Sequence, residues 1–297
     1  MADYASVYCS IRNIRNLHML ELLNEHACFG GVQRFYRHDS REIGLPMRFS
    51  VFIPANSYNA RLPALFYLAG LTCNEETFMI KAGAQRFAAE AGLILIAPDT
   101  SPRGANVEGE SDSWDFGVGA GFYLDATKPE WSKHYRMQRY IHELRELVIA
   151  ELPVDGARVG IFGHSMGGHG ALTLALKNPQ AFKSVSAFAP IAAPIKSPWG
   201  KKAFTGYLGD DQETWEQYDA SVLMSRLQTP FPSGILIDQG LGDKFLAEQL
   251  YPEVFEAACR NAAQPLELRQ HALYDHGYYF IATFIEDHIR FHAKNLA

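Results

Sequence analysis

A serine between two glycines, in the run GHSMG at residues 163–167, is the part of the sequence that most directly suggests chemistry. The apolar, β-branched and aromatic residues at 159–162 predict a strand buried on both faces. The run at 171–176 is rich in helix formers and is closed by Asn178-Pro179, which predicts a helix. A tight strand-to-helix turn holds Ser165 so that its hydroxyl projects from the sheet edge, where it can act as a nucleophile.

Strand, Gly-x-Ser-x-Gly and helix together are typical of the nucleophile elbow of α/β-hydrolases. The five residues alone are weak support, because a plain glycine- and serine-rich turn has the same composition. The prediction therefore depends on whether the rest of the chain supplies a base and an acid for Ser165.

Asp243 and His276 are the predicted acid and base. Asp243 follows a predicted strand at 234–238, and His276 follows another at 266–269. Open α/β sheets place ligands at the carboxyl ends of their strands. The chain order of serine, acid and histidine is also that of α/β-hydrolases. We therefore predict a catalytic triad of Ser165, Asp243 and His276.

Other histidines and aspartates fit these roles less well. His164 and His169 flank the serine and are expected to be packed or turn residues. His288 and His292 lie on the last predicted helix and are expected at the surface. Asp238 lies within a predicted strand, Asp275 lies beside the predicted base, and Asp99 comes before the serine in the chain.

An oxyanion hole needs two N–H donors beside the serine. In an elbow one donor is the residue after the nucleophile, here Met166, and the other comes from a loop after an earlier strand. A buried apolar run at 65–68 leads into Gly70-Leu71, so we predict the Leu71 N–H as the second donor. The alternative is that Ala69-Gly70 is merely a tight turn.

Alternating strand and helix signals predict the scaffold. Short apolar runs recur at 93–97 and 185–188, and amphipathic or helix-like stretches lie at 77–91, 137–148, 214–226, 249–262 and 278–294. Earlier, residues 20–25 form a lead-in, 32–38 a strand, and 47–53 alternate as a half-exposed strand of an antiparallel edge hairpin. These signals predict an α/β-hydrolase fold with a mainly parallel sheet of about eight strands and helices on both faces.

The composition and net charge disfavour several kinds of partner and site. The 297 residues are 47% hydrophobic and carry a net charge of −6, which disfavours nucleic acid and anionic membranes as partners. The four cysteines are scattered, without metal-ligand spacing, which fits free thiols in a reducing cytoplasm and no metal site. No apolar run is long enough to cross a membrane.

Residues 1–18 lack the apolar core of a signal peptide, and Met19 is an alternative start, so we expect a poorly ordered extension at 1–18 and one domain over 19–297.

Several longer motifs make the chain resemble the S-formylglutathione hydrolase, or esterase D, family. They are LAGLTC at 68–73, GHSMGGHGA at 163–171, DHGYYF at 275–280, HACFGGVQ at 26–33, PDTSPRG at 98–104, DSWDFG at 112–117 and PWG at 198–200. The resemblance runs from about Leu20 to the C-terminus. It implies a cytoplasmic thioesterase that hydrolyses S-formylglutathione to glutathione and formate, in formaldehyde detoxification, without a cofactor and often as a homodimer. Gly277 and Ala69 depart from the family, which usually has serine at both positions.

The substrate pocket is less determined by sequence. Trp199 is a candidate cap for a small acyl pocket, and Cys73, close to the predicted oxyanion donor, is a candidate target of thiol reagents; both have ordinary structural roles as alternatives. Cations near the mouth that would suit the carboxylates of glutathione are Lys201, Lys202, Lys244 and Arg103. A general short-chain carboxylesterase, an acyltransferase and a binding protein on a hydrolase fold remain alternative functions.

Overall fold

One sheet runs through the computed structural model of the protein, which describes residues 20–58 and 60–297. The extension predicted at 1–18 and the alternative start at Met19 lie outside the described residues. Within these ranges nine strands form the sheet, in the spatial order β1-β2-β3-β5-β4-β6-β7-β8-β9. The strands are β1 Glu21–Cys28, β2 Gly31–Asp39, β3 Pro46–Ile53, β4 Leu62–Leu68, β5 Ile94–Pro98, β6 Val154–His164, β7 Val185–Phe188, β8 Ile235–Gly240 and β9 Leu266–His271.

The sheet has an antiparallel and a parallel half. Strands β1, β2, β3 and β5 pair antiparallel in succession. From β5 through β4, β6, β7 and β8 to β9, every pairing is parallel. Parallel neighbours bring their carboxyl ends to the same edge of the sheet, so the segments that follow β4, β6, β8 and β9 meet there. The predicted α/β-hydrolase architecture is confirmed, with nine strands in place of about eight.

Helices alternate with the strands of the parallel half. In the described residues the α-helices are α1 Thr77–Lys81, α2 Ala84–Ala91, α3 Met137–Glu151, α4 Met166–Lys177, α5 Pro198–Leu208, α6 Gln212–Trp215, α7 Ala220–Ser225, α8 Pro252–Asn261 and α9 Tyr278–Asn295. Helix α9 packs against α2, β7 and β8, whereas α4 packs against α7, β6 and β7. No helix of the described part is both long and apolar enough for a membrane span.

Short helical pieces divide several stretches that the sequence predicted as single helices. The stretch at 77–91 is split into α1 and α2 because Gly83 adopts a left-handed φ of 67°. The stretch at 214–226 contains a 3-10 turn, Glu216–Tyr218, and a π-helix, Leu246–Leu250, precedes α8. The segment at 104–121 is long and irregular, and its strand-like pairing is limited to isolated bridges.

Strand β1 was missed, and β3 was misjudged. Residues 20–25 were expected to be a lead-in, yet β1 pairs along its length with β2 as the edge of the sheet. Its side chains are mostly exposed, so it lacks the buried alternation that marks a strand. Strand β3 forms the expected antiparallel hairpin with β2, but it lies inside the sheet between β2 and β5. Its last five residues are consequently all buried.

The two histidines of the last helix are buried, contrary to the prediction that they lie at the surface. His288 and His292 have no exposed surface. The Ser186 hydroxyl lies 2.8 Å from His288 Nδ1 and 2.8 Å from His292 Nε2, and the Ser184 hydroxyl lies 2.6 Å from His292 Nδ1. Because Ser186 of β7 and Ser184 just before this strand face α9, these imidazoles find partners within the core.

Candidate active site

Ser165 occupies a strained position between β6 and α4. Its φ of 58° and ψ of −118° lie outside the regions that a residue with a Cβ favours, and such a conformation costs on the order of 1–3 kcal/mol. Neighbouring groups hold it: the Ser165 N–H donates to the Phe188 carbonyl at 3.0 Å, and the Ser165 carbonyl accepts from Ile191 N at 3.2 Å. The tight turn predicted at residues 163–167 is therefore present.

Two glycines allow this turn to lie against the sheet. A Cβ on Gly167 would stand 1.9 Å from the Leu68 carbonyl oxygen, and a Cβ on Gly163 would stand 2.3 Å from the Gly167 carbonyl oxygen. Both distances are shorter than any real contact, so side chains at these positions would force the turn away from β4. The glycines are needed for space here.

Asp243 and His276 come together beyond the ends of β8 and β9. His276 Nδ1 lies 2.5 Å from Asp243 Oδ2. The Asp243 carboxylate is itself oriented, because Oδ1 accepts the Phe245 N–H at 2.8 Å and Oδ2 lies 3.4 Å from Gln239 Nε2. An Nδ1–H donated to Asp243 leaves His276 Nε2 with its lone pair, which is the state that a general base requires.

A ring contact brings His276 to the serine turn. The His164 and His276 rings lie 4.4 Å apart between centroids, and His164 immediately precedes Ser165. His164 is buried, and neither ring nitrogen has a hydrogen-bond partner among the described residues. Burial, followed by repulsion from His276, lowers the pKa of His164 well below its usual value. His164 is therefore neutral beside the site.

Leu71 and Met166 offer backbone N–H groups next to Ser165. A Cβ on Gly70 would lie 3.2 Å from the Ser165 Cβ, so the loop after β4 passes directly beside the serine. In that loop Thr72 N donates to Gly119 at 2.9 Å. Within the described residues, Leu71 N and Met166 N donate to no protein group. Both remain available to an oxyanion.

Comparison with known proteins finds a matching family model, similar enzymes and a similar solved structure. A family model described as "Putative esterase" matches residues 40–291. The chain is 53% identical to the S-formylglutathione hydrolase of Rattus norvegicus over 279 residues, and 54% identical to that of Bos taurus; each match spans 93% of this chain and 99% of the relative. A solved S-formylglutathione hydrolase from Agrobacterium tumefaciens superposes with a TM-score of 0.90 at 45% identity, over 93% of this chain and 100% of that one.

The chain belongs to the S-formylglutathione hydrolase family. The resemblance stated from its motifs is therefore confirmed.

In this family member, a line of aromatic rings leads from the surface to His276. Phe245 makes an edge contact with the His276 ring at 5.1 Å, Trp199 lies 4.7 Å from Phe245, and Trp114 lies 5.7 Å from Trp199. Trp199 is buried, whereas 56% of the Trp114 surface is exposed. Trp199 thus stands one ring away from His276.

Sequence reasoning did not select Phe245 or Trp114. The usable signal was position: Phe245 is two residues beyond Asp243, and Trp114 lies in the long irregular segment. An aromatic residue in a loop has no periodicity that would show which neighbour it faces, so only the fold reveals the ring line.

Cys73 lies beside the oxyanion loop with its side chain half-buried. Burial raises the pKa of the Cys73 thiol above its usual value, against smaller opposing effects from Thr77, Tyr278 and Lys81. The thiol is therefore protonated at neutral pH. Among the described cysteines, Cys28, Cys73 and Cys259 are free, and no cluster of histidine, cysteine or carboxylate side chains in the described ranges could hold a metal ion.

Gly277 and Ala69, the two positions where the family usually has serine, are held by other hydrogen bonds. Gly277 is the N-cap of α9 and has no side chain to cap it; instead its N–H donates to Asp275 Oδ1 at 2.8 Å. At the other position, the Ala69 carbonyl accepts the Tyr123 hydroxyl at 3.0 Å, so the backbone there is anchored without a serine hydroxyl.

Four of the rival residues have other hydrogen-bond partners. His169 is buried and its Nε2 lies 3.0 Å from the Phe122 carbonyl. Asp99 is bound to Arg103 at 2.6 Å. The Asp238 carboxylate is enclosed by Arg269 and His288. Asp275 is exposed and bonds the N–H of Gly277. These contacts give His169, Asp99, Asp238 and Asp275 structural roles.

Proposed function

We propose that the protein hydrolyses S-formylglutathione to glutathione and formate through a formyl-serine intermediate. The observation that carries the proposal is the 2.5 Å contact between His276 Nδ1 and Asp243, placed beside the strained Ser165 turn. The relatives at 53% and 54% identity, matched over nearly their whole length, give the substrate.

In the first half-reaction, His276 Nε2 accepts the proton of the Ser165 hydroxyl as its oxygen attacks the thioester carbonyl. Asp243 fixes the tautomer and stabilises the imidazolium that forms. The neighbouring His164 is neutral because it is buried, so it adds no second positive charge beside this imidazolium.

The tetrahedral oxyanion receives hydrogen bonds from the N–H groups of Leu71 and Met166. Both donors are fixed in place before the reaction, so no reorganisation is needed as charge develops. Met166 opens α4, whose amino-terminal dipole end also favours negative charge. The glutathione thiolate is a good leaving group, so protonation by His276 matters less here than it would for an amide.

In the second half-reaction, a water molecule activated by His276 attacks formyl-Ser165 and releases formate. A formyl group needs little space, and Trp199 together with Phe245 limits the room near the base. We expect short acyl chains to be preferred. Modification of Cys73 by a bulky thiol reagent would obstruct the oxyanion loop beside it, so we also expect such reagents to inhibit.

Formaldehyde detoxification in the cytoplasm is the setting that we propose. Three described cysteines are free thiols, which suits a reducing compartment. The mechanism above uses protein groups and water alone, so the proposal includes no cofactor and no metal. We also propose a homodimer, on the family resemblance, and a small-molecule substrate in place of nucleic acid or membrane, on the net charge of −6.

Steady-state kinetics with S-formylglutathione and with 4-nitrophenyl acetate test the function. We expect kcat/KM to favour S-formylglutathione. We expect Ser165→Ala to lower turnover of both substrates by at least about 10⁴-fold, with an unchanged circular dichroism spectrum. Equal kcat/KM for the two substrates would indicate a general short-chain carboxylesterase, and activity retained by Ser165→Ala would exclude the mechanism.

A further inference from the structure

We propose that Lys244 binds a carboxylate of the glutathione moiety and thereby selects the substrate. The inference rests on the proposed function, since it concerns how the leaving group of that reaction is held. It follows from where the Lys244 ammonium lies relative to the rings that lead to His276.

Lys244 is exposed and lies close to the His276 ring. Its ammonium lies over the face of Phe245, 4.9 Å from the ring centroid, and Phe245 lies 5.1 Å from the His276 ring. The ammonium is therefore within about 10 Å of the imidazole. A cation over an aromatic face is held by the ring quadrupole while its N–H groups stay free to bind an anion.

The other candidate cations are already engaged or have no such placement. Arg103 is bound to Asp99 at 2.6 Å, and Lys202 is bound to Asp115. Lys201 is exposed on α5 and has no ring or carboxylate partner among the described residues. Lys244 likewise has no carboxylate partner in the described part of the chain, so its charge is available to a ligand near His276.

The dimensions of the substrate match this position. In S-formylglutathione the glycine carboxylate stands about 7 Å from the thioester sulfur along an extended chain, and the γ-glutamyl carboxylate about 9 Å, counted from ordinary bond lengths. With the formyl carbon at Ser165 beside His276, either carboxylate can reach the Lys244 ammonium.

Charge makes such a contact useful. The substrate carries two carboxylates and one ammonium, and the protein has a net charge of −6. Long-range attraction is therefore absent, and only a cation within about one Debye length of the bound substrate, about 8 Å at physiological ionic strength, can favour binding.

The test compares S-formylglutathione with the S-formyl derivative of glutathione diamide, in which both carboxylates are neutral primary amides that an esterase cleaves poorly. For each variant, the measured quantity is the ratio of kcat/KM for the free acid to kcat/KM for the diamide, at low ionic strength. The variants are Lys244→Gln, Lys244→Arg and Lys244→Glu. The matched control is Lys183→Gln, which removes an exposed lysine just before β7, at the opposite end of the strands.

We expect the ratio to fall about three- to five-fold in Lys244→Gln, mainly through KM for the free acid, the size of an exposed ion pair. It should fall roughly ten-fold or more in Lys244→Glu, where attraction becomes repulsion, and recover in Lys244→Arg. Lys183→Gln should keep the wild-type ratio.

An unchanged ratio of kcat/KM values in Lys244→Gln would overturn this inference and leave the proposed function standing. So would a parallel loss on both substrates, since that is what a disturbance of the adjacent Asp243 would produce. A wild-type protein that does not hydrolyse S-formylglutathione would overturn the proposed function, and the inference with it.

Discussion

Two aspartates near the end of β8 should respond in opposite ways to the same substitution. Asp238 lies within the strand, and Asp243 lies five residues later, in the loop that meets His276. Replacing either by asparagine keeps the shape and removes the charge. We expect Asp238→Asn to reduce mainly stability and Asp243→Asn to reduce mainly turnover.

The loss of stability expected for Asp238→Asn follows from the partners of the Asp238 carboxylate. Its carboxylate has no exposed surface and accepts two hydrogen bonds from Arg269, at 2.6 and 2.5 Å, while His288 Nε2 lies 3.3 Å away. Removing one partner of a buried pair costs about 3–5 kcal/mol. Arg269 keeps about a quarter of its side chain exposed and retains Asp287 at 2.8 Å, so it is not left unpaired. We therefore expect a loss of about 2–4 kcal/mol in the free energy of unfolding.

For Asp243→Asn we expect the main effect on kcat. An asparagine would retain an acceptor for the Phe245 N–H, so the loss of stability should stay below about 2 kcal/mol. It could not hold the His276 tautomer or stabilise the imidazolium, and we expect kcat to fall about 10³- to 10⁴-fold. For Asp238→Asn we expect kcat within about ten-fold of wild type, since the Asp238 carboxylate contacts Arg269, His271 and His288 and not the predicted triad.

Urea unfolding followed by fluorescence, together with kcat on S-formylglutathione, measures both effects. The two variants serve as controls for each other, because they share the substitution and the neighbourhood. A well-folded Asp238→Asn protein that loses turnover by more than 10³-fold, beside an active Asp243→Asn protein, would show that the acid has been assigned to the wrong residue.

Three further predictions concern the turn, the core and the pocket. Gly167→Ala should lower both stability and activity, because its Cβ would stand 1.9 Å from the Leu68 carbonyl; urea unfolding should show a loss of more than about 3 kcal/mol, and Gly83→Ala, which has open space around it, should lose only about 1 kcal/mol. His169 is buried, and burial lowers its pKa to about 4. The unfolded chain therefore binds a proton there that the fold does not, and stability falls as pH drops from 6.5 towards 4, by roughly 1.4 kcal/mol per pH unit. His169→Gln should remove that part of the slope in urea titrations between pH 7 and pH 5, and an unaltered slope would contradict the assignment. Trp199→Ala should raise the kcat/KM ratio of octanoyl to acetyl aryl esters about five- to ten-fold, and an unchanged ratio would count against a pocket closed by this ring.

The parallel half of the fold was predictable because its signals are local. A strand buried on both faces is a continuous apolar run, as at residues 159–162, and an amphipathic helix repeats its apolar residues every three or four positions, as in α3. The positions of Ser165, Asp243 and His276 follow from the same logic, since each comes just after a predicted strand and parallel strands end at one edge of the sheet.

The features that were missed have no local signal. Strand β1 has mostly exposed side chains and is a strand only because β2 offers it a partner. His288 and His292 look like surface residues in sequence and are buried because Ser184 and Ser186 face them across the packing of α9 on β7. In each case the deciding neighbour lies on another element.

The sequence by itself determined which groups are available for chemistry and the edge of the sheet at which they stand, because steric demands on a tight turn and the spacing of apolar residues act within a few positions. Only the tertiary structure decided which side chains touch: that His276 meets Asp243 at 2.5 Å, that the rings of His164 and Phe245 both lie against His276, and that Lys244 lies over Phe245. Such contacts depend on loops whose conformation is set by packing between elements distant in the chain, and no periodicity in the sequence records that packing.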